Sequence, residues 1–155
     1  PTTPVRPPSP TGGTSISAAD AMEHVYGYTI INDVTARALQ KQHVQFFIGK
    51  SPATFCPMGP AIVTSDEIAD ITEAWVRTTV NGEERQAAQV RDLIFDIPIL
   101  IEEISAAVRL EPGDVISTGT PAGVGIGKKP PMYLKSGDVI EVSVDGIGTL
   151  RNPVV

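Results

Sequence analysis

Tyr26-Gly-Tyr-Thr-Ile-Ile-Asn-Asp-Val-Thr-Ala-Arg37 packs aromatic and β-branched residues against a carboxylate, a short turn and a cation. The aromatic and β-branched run over 26–32 predicts a buried strand, since such side chains fit a pleated surface. Asp33 falls at its end. Thr35 to about Gln42 is polar with Ala and Leu, and predicts a helix. A carboxylate at the end of a stiff strand is well placed to bind a hard cation through oxygen. The same residue could equally cap the helix that follows. Arg37 and Gln40, three apart, share a face of that helix. Arg37 could grip a carboxylate with two N–H groups, and Gln40 could donate and accept to an oxo or hydroxyl group. Solvated surface is the plain alternative for both.

Upstream, Pro1 to Gly13 holds five prolines and two glycines, which excludes a regular helix or central strand. Residues 1–16 are therefore expected to form a Pro/Gly-rich arm, the remnant of a longer segment, and 17–155 the main domain. Ser17 and Asp20 have capping-box spacing and predict a short helix through about Val25. Downstream, 49–60 is broken by Pro52, Pro57, Gly59 and Pro60 and predicts a loop carrying Lys50, with a strand over 61–64. A lysine on such a loop can anchor an anion or stabilise an enolate, or it can simply be exposed.

Asn81-Gly82 between 75 and 86 is the pair favoured where both turn residues need positive φ, and predicts a hairpin. Asp96 with Pro98 predicts a capped helix whose apolar stripe is Ile97, Ile101, Ile104 and Val108. Leu110 to Ile116 and Leu134 to Ile140 share L-x-x-G-D-V-I, each a turn expected to feed a strand. A hairpin is expected around Asp145-Gly146. The loop Gly119-Thr-Pro-Ala-Gly123 could cradle a carboxylate with its N–H groups and the Thr120 hydroxyl, or its glycines could serve the backbone alone. Short strands, three short helices and no strand–helix alternation predict a β-rich α+β fold.

Composition narrows the function. At 41% hydrophobic and 19% charged residues the chain is globular, and its net charge of −6 opposes a nucleic-acid partner. Cys56 is the single cysteine, which suits a reducing cytosol, and no apolar run reaches the roughly 20 residues of a membrane helix. The two histidines lack zinc-site spacing, and phosphate-loop, dinucleotide and nucleophile-elbow signatures are missing.

Taken in order, the motifs resemble one family. Gly27 to Arg37 resembles the G-Y-x-x-x-N-D-x-S/T-A-R-D segment of the fumarylacetoacetate hydrolase family. Gly49-Lys-Ser51 through Phe55 to Pro60 resembles its G-K-S loop, ending P-x-G-P. Val80-Asn-Gly-Glu83, Leu93-Ile-Phe95, Leu110 to Asp114, Thr118 to Gly123 and Leu134 to Asn152 follow in its order. The resemblance implies a mixed β-sandwich roll with a few short helices, working as a homodimer in the cytoplasm. It implies hydrolysis of C–C bonds in 2,4-dioxo acids, or isomerisation or decarboxylation of related 2-oxo acids from aromatic catabolism. The implied cofactor is Mg²⁺ or Mn²⁺, with Ca²⁺ as an alternative. A divalent ion on the 1-carboxylate and 2-oxo group would stabilise the enolate left by cleavage. Carried over by position, Asp33 matches a metal ligand, Thr54 a threonine near the metal and Lys50 a catalytic lysine. Gln40 matches a substrate-side glutamine, and Gly119 with Thr120 the carboxylate-binding turn.

Two departures matter. The family's Glu-x-Glu metal ligands precede the Gly-Tyr strand, yet no Asp or Glu precedes Asp20 here. The strand that would carry them is expected to be excised between about Pro10 and Thr14. Ala38 also replaces the Asp that usually follows the Arg. The alternative expectation is thus a catalytically impaired homologue, kept as a non-catalytic subunit or carboxylate-binding module.

Overall fold

The computed structural model describes residues 11–44 and 46–155, and the first ten residues of the expected arm lie outside it. Six strands and three α-helices follow in the order β1 (Gly27–Ile31), α1 (Arg37–His43), α2 (Phe46–Lys50), β2 (Met58–Thr64), β3 (Trp75–Val80), β4 (Glu83–Gln89), α3 (Ile97–Ala107), β5 (Val139–Val144) and β6 (Gly148–Pro153). Strands β1 and β2 form a two-stranded sheet, and the other four are ordered β4-β3-β5-β6. This is the β-rich α+β architecture expected from the sequence. No helix among the described residues is long and apolar enough to cross a membrane.

The chain divides into two compact units that interleave along the sequence. One takes in 11–28, Val63–Ala74 and Gln89–Gly119. Its core gathers Ile16, Ala21 and Ile101, with Val25, Ile97, Leu110 and Ile116 packed against them. Asp96 opens α3 by accepting from the Ile99 N–H at 2.9 Å, as its place before Pro98 predicts. The apolar stripe reaches the core through Ile97 and Ile101, while Val108 is exposed because α3 has ended at Ala107. Ser105 is buried on the same helix and binds the Ile16 N–H through its Oγ at 2.9 Å. Gly13 pairs with Leu110 in both directions at 2.9 Å, so residues 13–16 are tied into this unit.

The second unit takes in Thr29–Ile62, Trp75–Ala88 and Thr120–Val155. Strand β5 runs antiparallel between β3 and β6 and buries Ile140, Val142 and Val144 at every second position. That is the period of a half-buried strand. Asn81 and Gly82 both take positive φ, which makes the turn between β3 and β4. The Asn81 side chain also donates through its amide to Asp138 at 2.9 Å and accepts from the Val139 N–H at 2.9 Å. The turn is thereby locked to the start of β5.

Several sequence expectations are corrected. Lys50 is not on a loop but ends helix α2, where Ala36 donates to the Gly49 carbonyl at 2.8 Å. The helix expected over 17–25 is a 3₁₀ turn at Ala21–His24, although Ser17 and Asp20 do bond at 2.7 Å. Val25 turns extended and ends it. Strand β1 is only partly buried, with Ile30 alone inside, because its sheet has two strands. Strand β2 starts three residues early and runs through Pro60, which an edge position tolerates. Both L-x-x-G-D-V-I stretches form the same turn, with Asp114 and Asp138 accepting from Glu111 and Lys135 N–H groups at 2.8 and 3.0 Å. Only the second feeds a strand: Val115 to Ser117 is in none.

Candidate functional site

Three residues position the carboxylate of Asp33. The Asn32 N–H donates to the Pro57 carbonyl at 3.0 Å, which fixes the end of β1. The Val34 N–H donates back to Asn32 at 2.9 Å, so the chain turns at Asp33 before α1 begins. Asp33 does not cap that helix, because Ala36 is the cap residue and makes no side-chain bond. Its carboxylate instead faces Lys50, and the two form an ion pair. Both side chains are about one-third exposed, so the pair is open to solvent and to ligands.

Gly49 explains why Lys50 arrives there. A Cβ on Gly49 would meet Gln40 Cβ and backbone at 3.0–3.2 Å, so glycine lets α2 lie directly against α1. The Ser51 hydroxyl donates to the Phe47 carbonyl at 2.7 Å and closes the end of α2. On α1, the Arg37 guanidinium donates to Gln40 Oε1 at 2.8 Å. That contact leaves the Gln40 NH₂ group as its donating end. Lys50 has three N–H donors and spends one on Asp33. The residues around Gln40 and Lys50 thus present donors, which suits an oxygen-rich anion.

Thr54 and Cys56 both take left-handed φ, 73° and 60°, in the loop between α2 and β2. That conformation strains a β-branched residue, so Thr54 is held by its surroundings. Cys56 is exposed. Thr120 Oγ1 accepts a hydrogen bond from Gln86 Nε2 at 2.9 Å, and Gly119 just before it has φ of 110°. The structure therefore joins Asp33 to Lys50, Arg37 to Gln40, and Thr120 to Gln86. Gln86 does not stand out in the sequence; a polar residue on an otherwise plain hairpin strand gives little warning of its role.

A family model described as fumarylacetoacetate (FAA) hydrolase C-terminal matches residues 10–155. The chain belongs to the fumarylacetoacetate hydrolase family. Oxaloacetate tautomerase YisK of Bacillus subtilis is 56% identical over 142 residues, covering 92% of this chain and 47% of that protein. The fumarylacetoacetate hydrolase of Exiguobacterium antarcticum superposes with a TM-score of 0.90 at 56% identity, over 93% of this chain and 52% of that one. Maleylpyruvate hydrolase from Sphingobium sp. SYK-6, solved in complex with manganese(II) and pyruvate, gives 0.81 at 36% identity, over 94% and 50%. The chain spans about half the length of the curated relatives it matches. Relatives with a named activity include hydrolases, isomerases and a tautomerase.

The described residues gathered at Asp33 do not by themselves make a full site for the divalent ion that the family implies. Among the described residues no three His, Cys, Asp or Glu side chains converge. Asp33 is paired to a cation already. Hard divalent ions take about six or more oxygen ligands, commonly from several carboxylates. A cavity of about 410 Å³ lies in the first unit, lined by Met22, Tyr28, Asp70, Arg91 and Leu93 among others. None of the candidate residues lines it. Burial, with Asp70 nearby, raises the Tyr28 hydroxyl above the ordinary tyrosine range.

Proposed function

We propose that this chain carries the 2-oxo-acid-binding part of a fumarylacetoacetate hydrolase-family enzyme. The proposed reaction is hydrolysis of C–C bonds in 2,4-dioxo acids, or isomerisation or decarboxylation of related 2-oxo acids from aromatic catabolism. The observations that carry this reading are the Lys50–Asp33 pair, the Arg37–Gln40 contact, and the close packing of Gly49, next to Lys50 in the chain, on Gln40. Each substrate class carries a carboxylate and develops negative charge on an enolate oxygen. Lys50 keeps two N–H donors for such oxygens, and Asp33 orients it. Arg37 and the Gln40 amide supply further donors for the substrate carboxylate. The Gly119–Thr120 turn offers a hydroxyl and backbone N–H groups to the same kind of group.

The cofactor we assign to the enzyme is Mg²⁺ or Mn²⁺, with Ca²⁺ as the alternative and Thr54 beside the metal. It is supported by the manganese and pyruvate in the maleylpyruvate hydrolase structure. We further place the enzyme in the cytosol as a homodimer whose partner molecule is a small 2-oxo acid.

The test is turnover by the full-length protein of a panel of 2-oxo and 2,4-dioxo acids, with Mg²⁺, with Mn²⁺ and with neither. We expect metal-stimulated turnover of at least one acid, lost on Asp33→Ala and reduced at least about tenfold by Lys50→Met with the fold retained. Unchanged turnover in Asp33→Ala would overturn the site assignment. One specific observation favours a second reading, that of a non-catalytic carboxylate-binding module: Asp33 stands without the family's Glu-x-Glu. Mn²⁺ titration of this chain discriminates. Tight binding excludes the module; no binding together with retained 2-oxo acid binding supports it.

A further inference from the structure

We propose that Gln86 is a positioning residue that commits the Thr120 hydroxyl to donate its proton to a bound carboxylate. The inference rests on the reading of Gly119–Thr120 as a carboxylate-binding turn and adds to it the residue that sets its polarity.

Gln86 Nε2 lies 2.9 Å from Thr120 Oγ1 and 2.8 Å from the Pro121 carbonyl oxygen. A carbonyl oxygen can only accept, so the Gln86 atom facing Pro121 is the NH₂ nitrogen and not the amide oxygen. Reversing the amide would set two acceptors against each other. Both protons of that nitrogen are then spent, one on Pro121 and one on Thr120. An amide nitrogen has no lone pair to offer, so Thr120 Oγ1 is forced to accept. Its own O–H proton must point elsewhere. Thr120 is exposed, so that proton is available to an incoming ligand.

The neighbouring backbone supports the arrangement. Gly123 has φ of 112°, and a Cβ there would lie 2.0 Å from the Arg85 carbonyl oxygen. The loop is therefore pressed onto β4 at Arg85 and bonded to it at Gln86, two adjacent anchor points on one strand. A hydroxyl on an unanchored loop would rotate freely and lose part of its donor strength to that disorder. Here it is oriented before the ligand arrives.

A double-mutant cycle with pyruvate as the probe tests this, read by amide NMR titration of the full chain. Gln86→Met keeps the length, removes the donor and adds no charge, so the Thr120 hydroxyl is no longer held as an acceptor. Thr120→Val keeps the shape and removes the hydroxyl. Each is expected to weaken pyruvate binding about tenfold with the amide spectrum otherwise intact, and Thr120→Ser to bind as the unaltered chain does. The double variant is expected to bind no worse than Thr120→Val alone, because Gln86 acts through that hydroxyl. Fully additive losses, or undiminished binding by Gln86→Met, would overturn the role of Gln86 and leave the turn's reading standing. No pyruvate binding by the unaltered chain would overturn the carboxylate reading of the turn, and the role of Gln86 with it.

Discussion

Asp138 shows how one side chain joins turn chemistry to pH. The Asn81 amide, then the Lys135 N–H, hold its carboxyl below the ordinary aspartate value, with the Lys135 and Arg85 charges adding to the effect against burial. A carboxyl lowered in the folded state stabilises the fold in full above its unfolded pKa of about 3.9. That contribution is lost as pH falls through the lowered folded value. Asp138→Asn should therefore lower the urea midpoint at neutral pH, and the gap to the unaltered chain should close as the solution becomes strongly acidic. A gap that stays constant with pH would show that the charge is not what matters. Gly123 makes a second prediction at this scale. Its positive φ and the carbonyl of Arg85 leave no room for a side chain, so Gly123→Ala should destabilise by about 1–3 kcal/mol in urea unfolding. The sequence singled out Asp33, Arg37, Gln40, Lys50 and Thr120 as candidates through the order of the motifs that carry them, each residue alone having an ordinary structural alternative. Their contacts were not legible there, because Asp33 and Lys50 are 17 residues apart and Gln86 and Thr120 are 34 apart.

The elements divide by how local their causes are. Helix α3 was legible because its cap, its early proline and its stripe all lie within a dozen residues. Asp96→Ala should cost about 1 kcal/mol by removing the acceptor for Ile99, read as a lower urea midpoint with unchanged slope. The hairpin at Asn81-Gly82 was legible for the same reason. Helix α2 was hidden, since Pro52 and Pro57 just beyond it suggest a loop and only its packing on α1 holds five residues helical. The two L-x-x-G-D-V-I stretches make the point most directly. Both form the aspartate-held turn, a local device, but a strand needs partners, and only Val139–Val144 has β3 and β6 beside it.

At the scale of the molecule, each compact unit collects chain segments far apart in sequence. In the first, Ser105 is the clearest long-range link, since it is 1% exposed and holds the Ile16 N–H across 89 positions. Ser105→Ala would leave a buried N–H unpaired, and should cost about 1–3 kcal/mol in urea unfolding. Ordinary stability in that variant would mean that water reaches Ile16. Local patterning determined which residues form capped helices, turns and alternating strands, and the ordered motifs determined the family, because both are written in short spans of residue types. Tertiary structure alone decided that Lys50 ends a helix and faces Asp33, that Gln86 holds the Thr120 turn, and that Val115 to Ser117 joins no sheet. Those outcomes depend on which distant surfaces meet, and a hydrogen bond or ladder between remote residues leaves no periodic mark in the chain that makes it.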